Sequence, residues 1–200
     1  EYRSARLDEQ PDDGLIAAHR DRMFPLLHRR TLFSGVSQFR LYDFYQADGG
    51  VNEDVFAYSN GRGDAHGLIV YHNRYAETEG WIKTSASYRP QGEDGPLVDD
   101  SLAWALDLPF DADAFVIFRD VSSGLEYLHS CKALHEQGLF VRLQAYQLHA
   151  FVDIRVVHSS SDAPYAALHH HLAGHGVPSI HDALREIALP ALLAPSPVLA

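Results

Sequence analysis

The clearest hydrophobic pattern lies between residues 139 and 158. Apolar side chains occupy every second position in Leu139–Ala145, and the pattern then slips by one residue and continues through Leu148–Val156. Because strand side chains have a period of two, a slip of one residue exchanges the two faces of the strand. A bulge or tight bend near Tyr146 and Gln147 would return the apolar set to the core. The pattern predicts a long antiparallel strand pair or one bent strand, and it excludes a helix.

Three other short segments have the composition of strands. Val55–Ser59 and Leu68–Asn73 are rich in β-branched and aromatic residues, and Asn60–Asp64 between them has the residues of a turn. We therefore expect a hairpin there. Phe115–Arg119 reads as a buried strand, and the polar, Gly- and Pro-rich residues 89–101 as an insertion loop.

The N-terminal part predicts a helix. Residues 1–11 are polar and expected to be mobile, and Asp12 and Asp13 offer an N-cap to apolar residues at helical spacing. Pro25 is expected to kink this helix or to begin a second one. Basic residues 28–30 suit the end of the helix. A linking stretch, Phe39–Tyr45, then leads to a turn at residues 48–50.

Later helices are marked by capping residues. Ser130 is expected to cap a short helix that stops at Gly138. A second helix is expected after Asp162 and to end at Gly174, and a third to open at Ser179, run through Ile187 and stop at Pro190.

Together the elements predict a mainly β fold, an antiparallel β-sandwich with flanking N- and C-terminal helices (α+β overall). We expect a helical lead-in over residues 1–45, the β-sandwich over 46–160 and C-terminal helices over 161–200.

Charge and cysteine content narrow the function. The chain has 16 Lys and Arg against 27 Asp and Glu, a net charge of −11, which disfavours nucleic acid and anionic lipid as partners but leaves neutral ligands such as sugars. One cysteine, Cys131, excludes an internal disulfide and a thiolate zinc cluster. No apolar run is long enough to cross a membrane, and the first residues are no secretory signal. We expect a cytoplasmic protein that is a piece of a longer polypeptide.

Thirteen histidines invite a metal site, but their spacing argues against one. His169, His170 and His171 are consecutive, so on a helix they point in different directions, and glycines flank His175. There is no H-E-x-x-H motif and no acidic ligand at helical spacing. We expect structural or exposed histidines, no metal and no cofactor; a metal-dependent enzyme is the minor alternative.

Catalytic nucleophiles are also lacking. Lys132 and His135 could lower the pKa of Cys131, but a half-buried helix cysteine is the simpler interpretation. The string Phe39-Arg40-Leu41-Tyr42-Asp43 approaches the F-R-hydrophobic-D nucleophile strand of amylase-type glycosidases. Tyr42 takes the nucleophile position, and an Asp one residue late points to the opposite face of a strand. We expect no catalytic residue here.

Aromatic residues after the hairpin are the remaining candidates. Tyr75 and Trp81 could stack on sugar rings while Asn73 and Arg74 supply hydrogen bonds. The competing interpretation is that Tyr71 and Trp81 pack into the sheet. Trp104 lies among apolar residues and suggests a core or interdomain contact.

Strings along most of the chain, from about residue 20 to residue 190, resemble the C-terminal region of large bacterial proteins of the alpha-amylase family of glycoside hydrolases. They are Met23–Arg30, Val55–Asn60, Gly67–Ile82, Ser123–Leu128, Gly138–Phe140 and Ala145–Phe151.

In that family a (β/α)8 barrel carries out the chemistry and an antiparallel sandwich follows it. The resemblance implies a non-catalytic accessory domain that stabilises an upstream barrel of the same polypeptide, whose substrates are alpha-glucans. The family's Asp nucleophile, Glu acid/base and supporting Asp match nothing here and would lie upstream of Glu1. The alternative is an independent carbohydrate-binding module that uses Tyr75 and Trp81.

Overall fold

The computed structural model describes residues 10–90 and 95–193, with eight strands and five α-helices. The strands are β1 Arg40–Tyr45, β2 Val55–Arg62, β3 Ala65–His72, β4 Thr78–Ser85, β5 Ala114–Asp120, β6 Glu126–Ser130, β7 Leu139–Leu143 and β8 Leu148–His158. The helices are α1 Asp13–Leu27, α2 Leu102–Ala105, α3 Cys131–Gln137, α4 Tyr165–Leu172 and α5 Ile180–Leu193, with a 3-10 turn at Arg30–Phe33.

All eight strands form one sheet in the order β6-β5-β8-β3-β2-β1-β4-β7, and every neighbouring pair is antiparallel. The sheet curls, so that Phe118 of β5 and Val141 of β7, from opposite ends of the strand order, belong to the same buried cluster. Leu102 of α2 and Leu134 of α3 pack into this inner cluster. The core therefore lies inside the curl, with two short helices closing it.

A second apolar cluster lies on the outer side of the β5–β6 end. Phe115 and Ile117 of β5 are buried there against Leu168 of α4 and Ile180 of α5. β5 is thus buried on both faces, which explains why its sequence is a continuous apolar run with little alternation.

The expectation of a mainly antiparallel β fold with helices before and after it is confirmed. The strands form a single curled sheet, so the division into two packed layers is not part of the described structure. The hairpin is confirmed as well, with longer strands than expected: β2 and β3 pair up to Arg62 and Ala65 around Gly63 and Asp64. Gly63 has φ +61°, a conformation that favours glycine.

The segment from 139 to 158 bends where the apolar phase slips, but its two strands do not pair with each other. β7 pairs with β4, whereas β8 pairs with β3 and β5. Tyr146, in the turn between them, has φ +54°. The expectation of a strand pair was wrong, because the turn carries the chain from one edge of the sheet to its centre.

The face assignment was wrong for the first half of β8, whereas Ile154, which was also assigned to the core, packs against the inner cluster. Phe151 lies opposite Leu68 and joins the inner cluster, while Ala150 and Val152 are buried on the outer side. The 3-10 turn covers part of that outer side, where Val152 and Leu32 line the same depression. A second irregularity follows at Asp153, whose φ is +49°.

The helix signals were accurate in most places. The Asp12 side chain accepts a hydrogen bond from the Leu15 N–H, and α1 continues through Pro25 to Leu27. The Ser130 side chain caps α3, which ends before Gly138. The third expected end was wrong, since α5 continues past Pro190 to Leu193.

The stretch Phe39–Tyr45 is not a linker, because most of it forms strand β1. Tyr42 and Phe44 are buried while Leu41, Asp43 and Tyr45 are exposed, and this alternation is that of a strand inside a sheet. The expected mobile residues 1–11 lie almost wholly outside the described residues, as does part of the expected insertion loop.

Candidate functional site

Three loops meet at one end of the curled sheet, and we call this region the loop end: residues 46–54, 73–77 and 144–147. Backbone hydrogen bonds join them. The Asn73 N–H donates to the Asp54 carbonyl at 2.7 Å, the Tyr146 N–H to the Arg74 carbonyl at 3.1 Å, and the His72 N–H to the Gln147 carbonyl at 3.0 Å. The turn at the phase slip is therefore fixed against the loop that carries the predicted aromatic site.

Several polar side chains at the loop end are held by hydrogen bonds. The Arg74 guanidinium donates to the Asp54 carboxylate at 2.7 Å. The Asn52 amide donates to the Thr78 hydroxyl at 3.0 Å, and the Nδ1 atom of fully buried His72 lies 3.1 Å from the Gln144 carbonyl. These contacts hold the loops in one arrangement.

Two shallow depressions border the Glu77–Thr78 segment of the loop end. One, of about 500 Å³, has Gln46, Glu79, Arg142 and Gln144 around it. The other, of about 510 Å³, is lined by Asn52, Asp54, Arg74 and neighbouring residues. Their amides, carboxylates and guanidinium groups are suited to hydrogen bonds with hydroxyl groups.

The loop end also carries an exposed aromatic pair. Tyr75 is 84% exposed and Tyr146 is 57% exposed, and their ring centroids lie 6.2 Å apart with an interplanar angle of 40°. Two tyrosines held at this distance offer an apolar surface that is rimmed by hydroxyls, the kind of surface that stacks on a sugar ring. The sequence pattern did not place Tyr146 in the site, although the phase slip at Tyr146 and Gln147 marked the turn that carries it.

The four predicted sugar-binding residues do not come together. Asn73, Arg74 and Tyr75 lie at the loop end, with Asn73 accepting a long hydrogen bond of 3.3 Å from the Tyr71 hydroxyl. Trp81 lies three residues into β4 on the outer face of the sheet, opposite Tyr45 and Phe140. Its ring centroid is 4.8 Å from that of Phe140. Trp81 therefore belongs to a half-buried outer aromatic row and not to the loop end.

The N-terminal helix is the second notable surface. Among the described side chains of α1, Leu26 is half-buried and all others are exposed. Five of the exposed side chains are large and apolar, and at 100° per residue they are spread over about half of the helix circumference, an arc that also contains His19 and Arg20. They are Leu15, Ile16, Met23, Phe24 and Leu27. Large exposed apolar side chains of this kind are suited to contact with another domain.

The other chemical candidates lie apart from both surfaces. Tyr42 is buried, its hydroxyl is 2.7 Å from that of Ser59, and burial raises its pKa well above the usual range of a tyrosine. Asp43 lies on the opposite, exposed face, as the offset in the amylase-like string implied. Burial, with the nearby Asp111 carboxylate, raises the pKa of the Cys131 thiol to about 11. A thiol held neutral in this way is a poor nucleophile.

The histidine tract spreads around α4. His169 is half-buried with its ring 5.5 Å from that of Phe115, and His170 and His171 are exposed. Within residues 10–90 and 95–193, no three His, Cys, Asp or Glu side chains are grouped so as to hold a metal ion.

Comparison with known proteins gives no match: no family model matches the chain, and neither a curated protein nor a solved structure matches it. In the part of the chain that the structure describes, none of the helices is long and apolar enough to span a membrane.

Proposed function

We propose that this chain is a non-catalytic C-terminal accessory domain of an alpha-amylase-type glycoside hydrolase that acts on alpha-glucans, and that it stabilises an upstream (β/α)8 catalytic domain of the same polypeptide. The observation that carries the proposal is the exposed apolar surface of α1. The sequence resemblance supplies the identity of the partner domain.

A 15-residue helix with almost no tertiary contact is marginal in water. Each large apolar side chain contributes about 1.5–3 kcal/mol when it is fully buried, so five such side chains contribute several kcal/mol even when they are partly covered. A domain that covers Leu15, Ile16, Met23, Phe24 and Leu27 would stabilise α1 and would itself be stabilised by it. This reciprocal burial is the physical role that we assign to the chain.

The fold fits an accessory sandwich module of this kind. The two ends of the curled sheet, β7-β4-β1 and β8-β5-β6, contribute to one inner cluster, as the two layers of a sandwich do. We therefore propose that the sheet is the sandwich of such a C-terminal domain, with its halves continuous through β2 and β3.

The test uses the natural polypeptide that contains this chain. The coding sequence before Glu1 should encode a (β/α)8 domain with the family's two catalytic carboxylates. Leu15→Glu with Phe24→Glu should destabilise that longer polypeptide by about 2 kcal/mol or more, because two charges would be buried at the contact. Leu97→Glu, at a position that is 63% exposed, is the matched control and should change little.

The proposal also predicts that the isolated chain does not hydrolyse alpha-glucans. If the isolated chain did hydrolyse them, and if the double variant Tyr42→Phe with Asp43→Asn lost this activity, the non-catalytic role would be contradicted.

A second candidate function is an independent carbohydrate-binding module. The exposed pair Tyr75 and Tyr146, beside Arg74, favours it. Maltooligosaccharides titrated into the isolated chain should then release or absorb heat in calorimetry, and this heat of binding should be lost in Tyr75→Ala. A calorimetric titration without any heat of binding would argue against this function.

A further inference from the structure

The two edge strands of the sheet, β6 and β7, face each other across a groove of about 570 Å³. The start of β8 forms its floor, and the connection from α4 to α5, with His175 and Gly176, borders it. A volume of this size lies within the range of small-molecule sites. We call this space the edge groove.

Aromatic rings line the floor of the edge groove. The His149 and Phe151 rings are stacked with centroids 5.3 Å apart and an interplanar angle of 7°. Tyr127 of β6 meets both rings edge-on, at 6.2 Å and 5.7 Å. Half-buried Tyr127 thereby has a fixed orientation at the groove.

A chain of hydrogen bonds positions the polar groups of the floor. The Asp120 carboxylate lies 2.9 Å from His149 Nδ1 and also accepts from the Ala150 N–H and the Ser123 hydroxyl. Burial alone would raise the pKa of Asp120, but these hydrogen bonds outweigh it and lower the pKa to about 2. An ionised carboxylate can only accept, so the proton in this hydrogen bond is on His149 Nδ1.

Gln147 completes this chain at the groove. Its Nε2 atom lies 3.2 Å from His149 Nε2, and its Oε1 atom accepts from the Gln144 N–H at 2.7 Å. Both ends of the amide are thus fixed, and one N–H of the amide remains for a ligand.

The wall of the groove carries neutral imidazoles. Burial and the nearby His169 lower the pKa of His129 to about 4, and burial also lowers the pKa of His169. Within residues 10–90 and 95–193, the ring nitrogens of His129 have no hydrogen-bond partner. A neutral imidazole presents one donor and one acceptor, which matches the hydrogen bonding of a hydroxyl group.

Charge in the groove is nearly absent. Arg142 is the one formally charged residue among the described residues that line it, and its guanidinium is paired with Glu79 at 2.9 Å. An anionic ligand would find no unpaired cation there, and a cation no carboxylate on the lining. The lining therefore favours a neutral ligand with several hydroxyl groups and an apolar face.

We propose that the edge groove binds a neutral polyhydroxylated ligand of one or two sugar rings, with hydroxyl groups on His129 and Gln147 and its apolar side along the aromatic lining of the groove. His149 and Asp120 are positioning residues, since they act through Gln147. The proposal is independent of the accessory role, because it rests on the groove alone.

To test the proposal, small-molecule probes are titrated into the intact chain. Binding is measured by calorimetry and by the imidazole C–H signals in NMR. The neutral probes are maltose, trehalose and myo-inositol, and the charged probe is glucose 6-phosphate. We expect at least one neutral probe to shift the His129 and His149 signals and to bind more tightly than the charged one. The pattern among the three separates a glucan, another disaccharide and a free polyol as the source of the ligand.

Variants test the assignment of the contacts. His129→Leu should weaken binding of the neutral probe about three- to tenfold through loss of its hydrogen bonds. His158→Leu, at an exposed histidine of β8, is the matched control and should bind as the unaltered chain does. Each of three results would overturn the proposal. The first is that none of the neutral probes, at about 50 mM, shifts the His129 signal. The others are that glucose 6-phosphate binds more tightly than the neutral probes, or that a folded His129→Leu variant keeps the affinity of the unaltered chain. If that variant does not fold, the NMR titration of the unaltered chain decides.

Discussion

Tyr146 and Tyr75 form the most exposed aromatic pair at the loop end, with ring centroids 6.2 Å apart, although they lie 71 positions apart in the chain (146 − 75). The hydrogen bond from the Tyr146 N–H to the Arg74 carbonyl fixes this proximity. The pair exists because the β7–β8 turn, where the apolar phase slips, lies against the β3–β4 loop.

The variant Tyr75→Ala tests whether a sugar stacks on the tyrosine pair of the loop end or on the outer aromatic row that contains Trp81. If the loop end binds maltooligosaccharides, this variant should lose most of the affinity while the free energy of unfolding changes by less than about 0.5 kcal/mol, because the side chain is exposed. Calorimetric titration and thermal unfolding measure the two quantities.

Trp81→Ala and Phe110→Ala complete the comparison. Trp81 lies on the outer aromatic row, so its loss should leave loop-end binding intact, and exposed Phe110 is a control elsewhere on the surface. Loss of binding in Trp81→Ala with retention in Tyr75→Ala would move the sugar site to the outer face.

Acid stability should depend on Asp120. Its pKa is about 2 in the folded protein and 3.8 in the unfolded reference, so the unfolded state binds the proton more readily. The ionised carboxylate therefore contributes stability on the order of 2 kcal/mol above pH 4, and this contribution is lost as the pH falls from about 4 to about 2. Urea unfolding at several pH values between 2 and 7 measures it.

Asp120→Asn should remove that dependence. The variant should be less stable by about 1–3 kcal/mol at pH 7, because an amide cannot accept all the hydrogen bonds that the carboxylate accepts. Its difference from the unaltered chain should shrink toward pH 2. A constant difference across the whole pH range would show that Asp120 is not the titrating group.

Gly80 should tolerate no side chain. A Cβ atom there would meet the Tyr45 carbonyl and would lie 2.7 Å from the Phe44 ring, which is itself fully buried. Gly80→Ala should therefore cost about 1–3 kcal/mol of stability through overpacking. Gly35→Ala, where a Cβ would meet nothing within 4 Å, is the control. Equal stability of the two variants would mean that β1 and β4 approach less closely than described.

The Cys131 thiol should be inert in the folded protein. Because burial raises its pKa to about 11, native chain at pH 8 should react with a thiol reagent far more slowly than urea-unfolded chain. Cys131 is the one cysteine, so absorbance of the released thiolate reports on it without ambiguity. Rapid modification of the native chain would instead show that the Cys131 thiol is reactive.

The sequence predicted the positions of individual strands and helices better than it predicted which strands pair with each other. Local signals located the hairpin around Gly63, the Ser130 cap and the bend near Tyr146, because turn and cap chemistry depends on neighbouring residues. Strand pairing depends on distant residues, so the pattern could not reveal that β7 pairs with β4 and β8 with β3 and β5. Both faces of β8 are buried near Ala150, which removed the alternation that face assignment requires.

For the candidate site as well, the sequence revealed local features but not which distant residues come together. Tyr75 and Arg74 were identified because they lie in one exposed loop, and Trp81 was grouped with them because it is close in sequence. A strand advances about 3.3 Å per residue and alternates its faces, so a few residues along β4 are enough to separate Trp81 from the loop end. The edge groove combines residues from β6, β7, β8 and α4, and no pattern in one segment could indicate it.

Hydrogen exchange over α1 tests the central claim most directly. The amides of Asp13–Leu27 should exchange rapidly in the isolated chain, because the helix has almost no tertiary support. In the natural polypeptide that contains the chain, the same amides should be protected by at least about a hundredfold, as a buried interface of a few kcal/mol requires. Equal exchange of α1 in the two proteins would contradict the account.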